Sequence, residues 1–436
     1  MTIQEMKPPI PKESRKQTRQ KEGRKKKRLA VLFAAVLAVA VFAAYLFGVF
    51  SPSGSTPPVE YLLEVYSPSA SETPAAPAEL VEEEQAADEQ SEEAQEQDAT
   101  SEQPEQEPET NVYAGATSTE VGEALADVPE RVYVPNIMDN TVTVIDPATF
   151  EIVDSYEVEQ LPFHITPSWD MTQLLVNNEE SGTFTVIDPR TGRPTGDSVP
   201  VTYPYNFYYT PDGEKAIVVA ERLGLIGFRD TETWELVGSV EIPWPGVDHL
   251  DFSEDGDYFL ASSEWSGVVS KVDTNTMQLT DYVEVGSLPI DIKLSPDGSV
   301  FYVADQGSHG VHVIDPEAME ELEFIPTGLG AHGLQVSRDA ESLYVSNRLD
   351  GTVSVIDFET NEVTDTWVTG GTPDMFQLSP DGRQLWVSGR YDGAVYVLDT
   401  NTGEVLNTIY TGAQPHGLVY FPNPGRFSLG HNGVYR

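Results

Sequence analysis

One stretch of the sequence, YVSNRLDGTVSVID at residues 344–357, decides the fold because related versions of it recur along the chain. Polar and apolar residues alternate from Thr352 to Ile356, which is the period of a β-strand with two unlike faces. The final aspartate recurs at Asp146, Asp188, Asp230, Asp273, Asp315, Asp357 and Asp399. The intervals are 42, 42, 43, 42, 42 and 42 residues. This period fits four short strands with their turns, which is one blade of a β-propeller.

The turns and the two ends of the repeat region support this interpretation. TPDG at 210–213 and SPDG at 295–298 and 379–382 place proline and glycine where a type I turn favours them. The repeats open with RVYV at 131–134, the second strand of a unit, and end with HGLVYF at 416–421, the first strand of a unit. Joining these ends completes the ring. The sequence therefore predicts an all-β, seven-bladed β-propeller over residues 128–436, with a C-terminal strand closing the first blade.

Charge is distributed very unevenly along the 436 residues, whose formal net charge is −46. Residues 1–28 hold 11 Lys and Arg, whereas residues 131–436 hold 14 against 47 Asp and Glu. Binding of nucleic acid requires basic side chains that replace counterions on the phosphates, so nucleic acid is excluded as a partner of the acidic part. The chain has no cysteine, which excludes disulfides, thiolate metal sites and cysteine nucleophiles.

The N-terminal region predicts attachment to a membrane. Residues 29–50 contain no charged side chain and follow the basic run RKKKR at 24–28. A helix of this length crosses the hydrocarbon core of a bilayer, and the basic run favours a cytoplasmic N-terminus. We therefore predict a cytoplasmic tail at 1–28, a single transmembrane signal anchor at 29–50 and an extracytoplasmic propeller at the cell envelope. A cleaved signal peptide and a buried globular helix are the alternatives.

Residues 51–127 are rich in Pro, Glu, Gln, Ala and Ser. Such a composition buries too little apolar surface to offset chain entropy, so it predicts a disordered acidic linker. Repulsion between like charges would extend this linker and make it a spacer between the membrane and the propeller.

The repeats resemble the YVTN family of seven-bladed β-propellers. YVSN at 344–347 with DGTVSVID at 350–357 is close to the consensus of that family, and YVPN at 133–136 and YVAD at 302–305 are looser copies. The ending PGRFSLGH at 424–431 resembles membrane-anchored actinobacterial members. The resemblance implies the fold but no single activity, because propellers of this type serve as enzymes, cofactor holders and binding platforms.

One register position predicts a ring of polar side chains around the propeller axis. In such propellers the strand before the SPDG turn is innermost, and the residues at its start surround one mouth of the central channel. These candidate metal ligands are His164, Asn206, His249, Asp291, His332, Asp374 and His416. Imidazole and carboxylate ligands together suit a divalent metal ion. The alternative is that the ring is a repeated structural choice in which each polar side chain bonds backbone of the next blade.

The connectors between the second and third strands should open on the same face. Their polar residues form a predicted ligand-binding cup, acidic on one side and basic on the other: Asn136, Asn178, Glu221, Glu264, Asp305, Asn347, Arg348 and Arg390. Three functions remain open. The first is a module that binds an envelope protein or a small molecule without turnover. The second is a metal- or cofactor-dependent lactonase, lyase or oxidoreductase, and the third is a structural component of the cell wall.

Overall fold

The computed structural model describes residues 111–425 and 429–430. Within these residues the strands form seven antiparallel four-stranded sheets, so the predicted seven-bladed propeller is confirmed. The predicted anchor at 29–50 and most of the predicted linker lie outside the described residues. In the part of the chain that is described, no helix has both the length and the apolar character needed to cross a membrane.

The strands follow the sequence period closely. In chain order they are β1 Arg131–Asn136, β2 Thr141–Asp146, β3 Glu151–Glu157, β4 Pro162–Pro167, β5 Leu174–Asn178, β6 Thr183–Asp188, β7 Arg193–Pro200, β8 Asn206–Tyr209, β9 Lys215–Ala220, β10 Leu225–Asp230, β11 Leu236–Glu241, β12 Val247–Phe252, β13 Tyr258–Ser263, β14 Val268–Asp273, β15 Gln278–Glu284, β16 Pro289–Leu294, β17 Phe301–Asp305, β18 Gly310–Asp315, β19 Glu320–Pro326, β20 Ala331–Val336, β21 Ser342–Asn347, β22 Thr352–Asp357, β23 Val363–Val368, β24 Pro373–Leu378, β25 Gln384–Gly389, β26 Ala394–Asp399, β27 Val405–Tyr410 and β28 Val419–Phe421. Short 3₁₀ turns span Glu123–Leu125, Glu221–Leu223 and Glu264–Ser266.

The ring closes as the sequence predicts. The first blade has the strand order β28-β1-β2-β3, and Val132 is paired with Tyr420 across the joint between the two ends of the chain. The other six blades each use four consecutive strands. Closure buries the innermost strand of each blade at the axis, so only the outermost strands present an exposed edge, which limits edge-to-edge association.

The hydrophobic core lies between blades. Val132 packs with Trp386 and Val395 of the last blade, whereas its neighbour Tyr133 packs with Ile165 of the second blade. Successive residues of a strand point to opposite faces, so one strand fills two cores. The exposed polar residues of each blade are confined mainly to its outermost strand, as in β3 and β15.

Both ends of the described chain cover the face of the propeller that carries the SPDG turns. Tyr113 is buried and donates a hydrogen bond to the carbonyl of Leu294 over 2.8 Å, and Arg338 donates to the carbonyl of Ala116. From the other end, the carbonyl of Leu429 accepts a hydrogen bond from the Tyr209 amide. The sequence places residues 51–127 in one linker, but residues 111–127 pack against the propeller. Isolated apolar residues such as Tyr113 carry no periodic signal, so the sequence did not reveal this contact.

Candidate functional site

Six of the predicted ring residues lie on the innermost strands, near the start of each one, and His416 lies three residues before β28. All seven side chains are buried. In five blades the pairing register of the innermost strand shifts around the ring position, for example between Pro162 and Ile165 and between Pro373 and Phe376. A bulge of this kind re-aims a side chain out of the regular sheet. Here it lets ring residues face the axis while the strand continues into the blade.

The imidazoles of the ring lie close together. The ring centroids of His164 and His416 are 4.7 Å apart, and those of His164 and His249 are 5.3 Å apart. His332 lies on the other side of His416, with a centroid distance of 6.1 Å. The four imidazoles are therefore close enough to contact one another around the axis. The ring side chains form a packed polar plug at the mouth of the channel.

Asp374 is the hub of this plug. Its Oδ1 accepts hydrogen bonds from Nε and Nη2 of Arg348, with the Nε contact at 3.0 Å. Its Oδ2 lies 2.5 Å from Nδ1 of His416 and 3.8 Å from Nη1 of Arg390. Nδ1 of His332 is 3.2 Å from Oδ1. Four positively charged or ionisable side chains thus converge on one buried carboxylate, which is the geometry in which a buried charge is tolerated.

The titration of these groups follows from their contacts. Burial alone would raise the pKa of Asp374, but Arg348, His416 and His332 hold that pKa well below its usual value. Burial lowers the pKa of His416 to about 4 despite the neighbouring carboxylate. The hub is therefore an ionised aspartate facing neutral imidazoles near pH 7. Within the described residues His416 Nε2 is buried without a hydrogen-bond partner. The Asp374 carboxylate favours the tautomer with the proton on Nδ1, although Arg390 Nη1 also lies 2.9 Å from Nδ1, and in that tautomer Nε2 can accept a proton or a metal ion.

Two of the other ring residues have mainly structural contacts. Asp291 accepts hydrogen bonds from Lys293 Nζ at 3.0 Å and from the amide of Leu334 in the next blade at 2.9 Å. Asn206 donates to the hydroxyl of Tyr208 and its Nδ2 lies 3.2 Å from His249 Nδ1. The contact of Asp291 with Leu334 matches the alternative in which a polar ring residue bonds backbone of the next blade, whereas the contacts of Asn206 are with side chains. The metal-ligand prediction for the ring remains a prediction, and no three His, Asp or Glu side chains of the described residues form a metal-binding group.

Four of the eight predicted cup residues are occupied by contacts with their own blade and, for three of them, with the connector that leads into it. Asn136 and Asn347 each donate to two hydroxyls of the adjacent strand and accept a backbone amide, from Gly412 and Gly328 respectively. Asn178 donates to Thr183 and Thr185 in the same way. The Asp305 carboxylate accepts hydrogen bonds from the backbone amides of residues 287, 288, 307 and 308. Burial would raise the pKa of Asp305, but a hydrogen bond with His312, followed by those from the backbone amides, holds that pKa below its usual value. These side chains hold the connectors in place. At Asn136 and Asn347 the amide nitrogen and oxygen are both already hydrogen-bonded within the protein, and the role of the four residues in ligand binding remains a prediction.

The other four predicted residues lie in the cup, on opposite sides. Arg348 and Arg390 form its basic side beside Asp374. Glu221 and Glu264 begin 3₁₀ turns, each ended by a glycine with positive φ, and are half-buried on the acidic side. Sequence reasoning did not include Asp248 in the site, although it precedes His249. Asp248 is buried, hydrogen-bonds Tyr205 and belongs to the acidic side, together with Glu179.

The carboxylates of the acidic side disfavour ionisation of one another. Burial raises the pKa of Asp248 well above its usual value, and repulsion from Glu264 and Glu221 adds to the effect. Burial likewise raises the pKa of Glu221, with added repulsion from Glu264 and Glu179. For Glu264, burial raises the pKa although Arg348 and Arg390 oppose it. A site with several such carboxylates gains electrostatic stability when a cation enters it.

A closed ring of seven four-stranded blades, with a polar plug beneath a cup of divided charge, defines a seven-bladed β-propeller with one open polar face. The model of the YNCE-like beta-propeller family matches residues 112–424. The chain belongs to this family. None of the curated proteins matches it by sequence.

Solved structures with the same fold are distant in sequence. A functionally unknown protein from Desulfotomaculum acetoxidans has a TM-score of 0.56 at 16% identity, covering 67% of this chain and 99% of that chain. A Bacteroides fragilis protein provisionally titled a 6-phosphogluconolactonase gives 0.57 at 18%, covering 68% and 99%. The dihydro-heme d1 dehydrogenase NirN in complex with DHE gives 0.54 at 17%, covering 72% and 82%. At these identities the similarity shows the fold alone.

Proposed function

We propose that this chain is a binding module of the cell envelope, which holds a protein or small-molecule partner in the cup without turnover. In this proposal residues 29–50 anchor the chain in the membrane and the propeller lies outside the cell. The observation that carries the proposal is the divided charge of the cup: Arg348 and Arg390 face Asp374 on one side, and Glu221 and Glu264 lie on the other. Two fixed regions of opposite sign favour a partner with complementary charges and orient it.

The opposite face supports this assignment. Residues from both ends of the described chain, such as Tyr113 and Leu429, are buried there in one core cluster. The cavity beneath them holds about 30 Å³, lined by Lys293, Gln335, Arg338 and Gln377 among others. That volume suits a water molecule and is far below the size of an ordinary ligand site. We therefore assign the partner to the cup and not to this face.

Photocrosslinking in intact cells tests the proposal. A photoreactive amino acid in place of Leu223, beside Glu221, is expected to give a specific adduct, because its side chain is 51% exposed at the cup. The matched control is Leu236 on β11 of the same blade, which is 54% exposed on the outside of the ring. We expect the adduct at 223 to disappear in the double variant Glu221→Gln/Glu264→Gln. Identical adducts from positions 223 and 236, or none from 223, would refute binding through the cup.

A second candidate function, a metal- or cofactor-dependent enzyme, is favoured by one specific observation. His416 is neutral near pH 7, its Nδ1 faces Asp374 at 2.5 Å, and its buried Nε2 has no hydrogen-bond partner among the described residues. A carboxylate that orients a histidine in this way is typical of metal ligands and general bases. The NirN neighbour is titled a complex with DHE, so a related fold accommodates a bound molecule.

Elemental analysis and an absorbance spectrum separate the two functions. If the second is correct, full-length protein purified without chelator or histidine tag carries about one transition metal or chromophore per chain, as a single site of borderline ligands would. His249→Ala and His332→Ala should then each reduce the bound amount. His309→Ala, which lies outside the ring and whose Nδ1 contacts the Gln306 carbonyl, is the control. A colourless protein that contains no metal and takes up none on titration excludes this candidate.

A further inference from the structure

Exposed apolar side chains surround the cup. Met138, Leu223, Trp265 and Leu349 lie on connectors between the second and third strands of four blades, and their exposed fractions are 58%, 51%, 53% and 50%. Leu329, 47% exposed, joins Leu349, whose amide donates a hydrogen bond to its carbonyl. Single exposed apolar residues are ordinary on protein surfaces. Five on one face, arranged around one axis, form a surface that we call the apolar rim.

Two carboxylates inside this rim, those of Glu221 and Glu264, form no direct ion pair in the part of the chain that the structure describes, although Arg222, Arg348 and Arg390 act on them from a greater distance. The cations nearest to them are engaged elsewhere: Arg222 pairs with Glu179 and Glu180, whereas Arg348 and Arg390 pair with Asp374. Among the residues that the structure describes, no ion pair reaches Glu221 or Glu264. Leu223 is two residues from Glu221, and Trp265 follows Glu264 and hydrogen-bonds it. Each unpaired carboxylate therefore lies directly beside an exposed apolar side chain of the rim.

We propose that the cup docks a protein partner by receiving a lysine or arginine side chain between Glu221 and Glu264, while apolar residues flanking that side chain pack on Leu223 and Trp265. This inference rests on the proposed function and specifies its partner. A basic residue with apolar neighbours matches both features of the surface, the carboxylates and the rim around them.

The rim favours a protein segment over a small cation. A hydrated metal ion or a polyamine would neutralise the carboxylates but would leave the apolar side chains in water. Covering those side chains removes apolar area from water, which favours binding in proportion to the area covered. An apolar surround also excludes water from the central charge pair, which strengthens that pair, and exposed tryptophan is a frequent anchor of such interfaces.

Short peptides of matched composition test the inference on the full-length protein in detergent. The probes are acetyl-Ala-Leu-Lys-Leu-Ala-amide, the same peptide with glutamine in place of lysine, lysine amide, and magnesium chloride, each titrated while tryptophan fluorescence is followed. We expect the lysine peptide to bind at least about tenfold more tightly than the glutamine peptide, which corresponds to about 1.4 kcal/mol. Trp265→Ser should weaken the lysine peptide by about the same factor, since it removes one apolar contact.

The variants make the result specific. Glu221→Gln/Glu264→Gln should abolish the preference for lysine, whereas Glu159→Gln/Glu180→Gln, which changes one half-buried and one exposed carboxylate, should retain it. Equal affinity for the two peptides, equal affinity for lysine amide or magnesium, or no binding at millimolar concentration would each overturn the inference. Cup-specific crosslinks at position 223 together with any of these results would leave the binding function standing with a different partner. Their absence would refute the binding function itself.

Discussion

Replacing Asp374 by asparagine is expected to lower the free energy of unfolding by about 3–5 kcal/mol at pH 7, the usual cost of removing one member of a buried ion pair. Asparagine has nearly the same shape as aspartate, so the change in the free energy of unfolding measures the effect of removing the negative charge. Arg348 is 7% exposed and donates both Nε and Nη2 to Asp374, and it would remain buried beside a neutral amide. Its remaining hydrogen-bond partners, Gln306 and His332, do not carry a negative charge, and Glu264 acts on it only from a greater distance.

The effect should depend on pH in a defined direction. The pKa of Asp374 is well below its usual value in the folded protein, so its ionised form stabilises the fold above the unfolded pKa of about 4. That stabilisation is lost as pH falls through the folded pKa. The difference between the native protein and Asp374→Asn should therefore be largest near neutrality and should shrink in acid. Urea unfolding between pH 3 and pH 7 measures it.

Two further variants distinguish an ion-pair effect from general disruption. Asp381→Asn is the control, because Asp381 is exposed and lies 3.9 Å from exposed Arg383, and such a pair contributes at most about 1 kcal/mol. Asp374→Asn combined with Arg348→Met should recover part of the loss, since it removes the unpaired cation as well. A change of under about 1 kcal/mol in Asp374→Asn alone would show that the hub does not hold the plug together.

Features that every blade repeats could be predicted from the sequence, whereas features that occur in one blade could not. Strand period, blade number and ring closure come from residues that recur every 42 or 43 positions, as Asp146 and Asp188 do, so seven copies reinforce one interpretation. The position of His164 near the start of an innermost strand followed from the same register, whereas its complete burial did not. Repetition is informative because equivalent positions of every blade pack against the neighbouring blades in the same way.

Features that differ between blades could not be predicted in that way. The Arg348–Asp374 pair joins two blades through side-chain conformations, and no spacing rule shows that Arg348 turns towards the axis. The bulge before Phe376 re-aims Asp374 without any mark in the sequence. Asp248 resembles an ordinary strand residue until its hydrogen bond with Tyr205 places it on the acidic side. Residues that differ between equivalent positions of the blades give a repeat fold its particular function.

Glu179→Gln is expected to stabilise the protein by roughly 2–3 kcal/mol at pH 8, which follows from a pKa that differs by more than two units between folded and unfolded chains. Burial raises the pKa of Glu179 to about 7, although Arg222 opposes the shift and Glu180 adds to it. Between pH 4.5 and about 7 the folded protein therefore binds more protons at this site than the unfolded chain. Stability contributed by the protonated form is lost as pH rises through that window, and glutamine avoids the loss.

Urea unfolding at pH 4 and pH 8 tests this expectation, with Glu180→Gln as the matched control. Glu180 is the next residue, pairs with the same Arg222 and is exposed, so its replacement should change stability by less than about 0.5 kcal/mol. Glu179→Gln should be neutral at pH 4, where the native carboxyl is already protonated. A loss of stability at pH 8, or an equal gain at both pH values, would show that the folded protein does not disfavour the ionised form of Glu179. A gain confined to pH 8 would mean that the acidic side lowers the stability of the unbound propeller, as expected of carboxylates whose favourable partner is a cation supplied by another molecule.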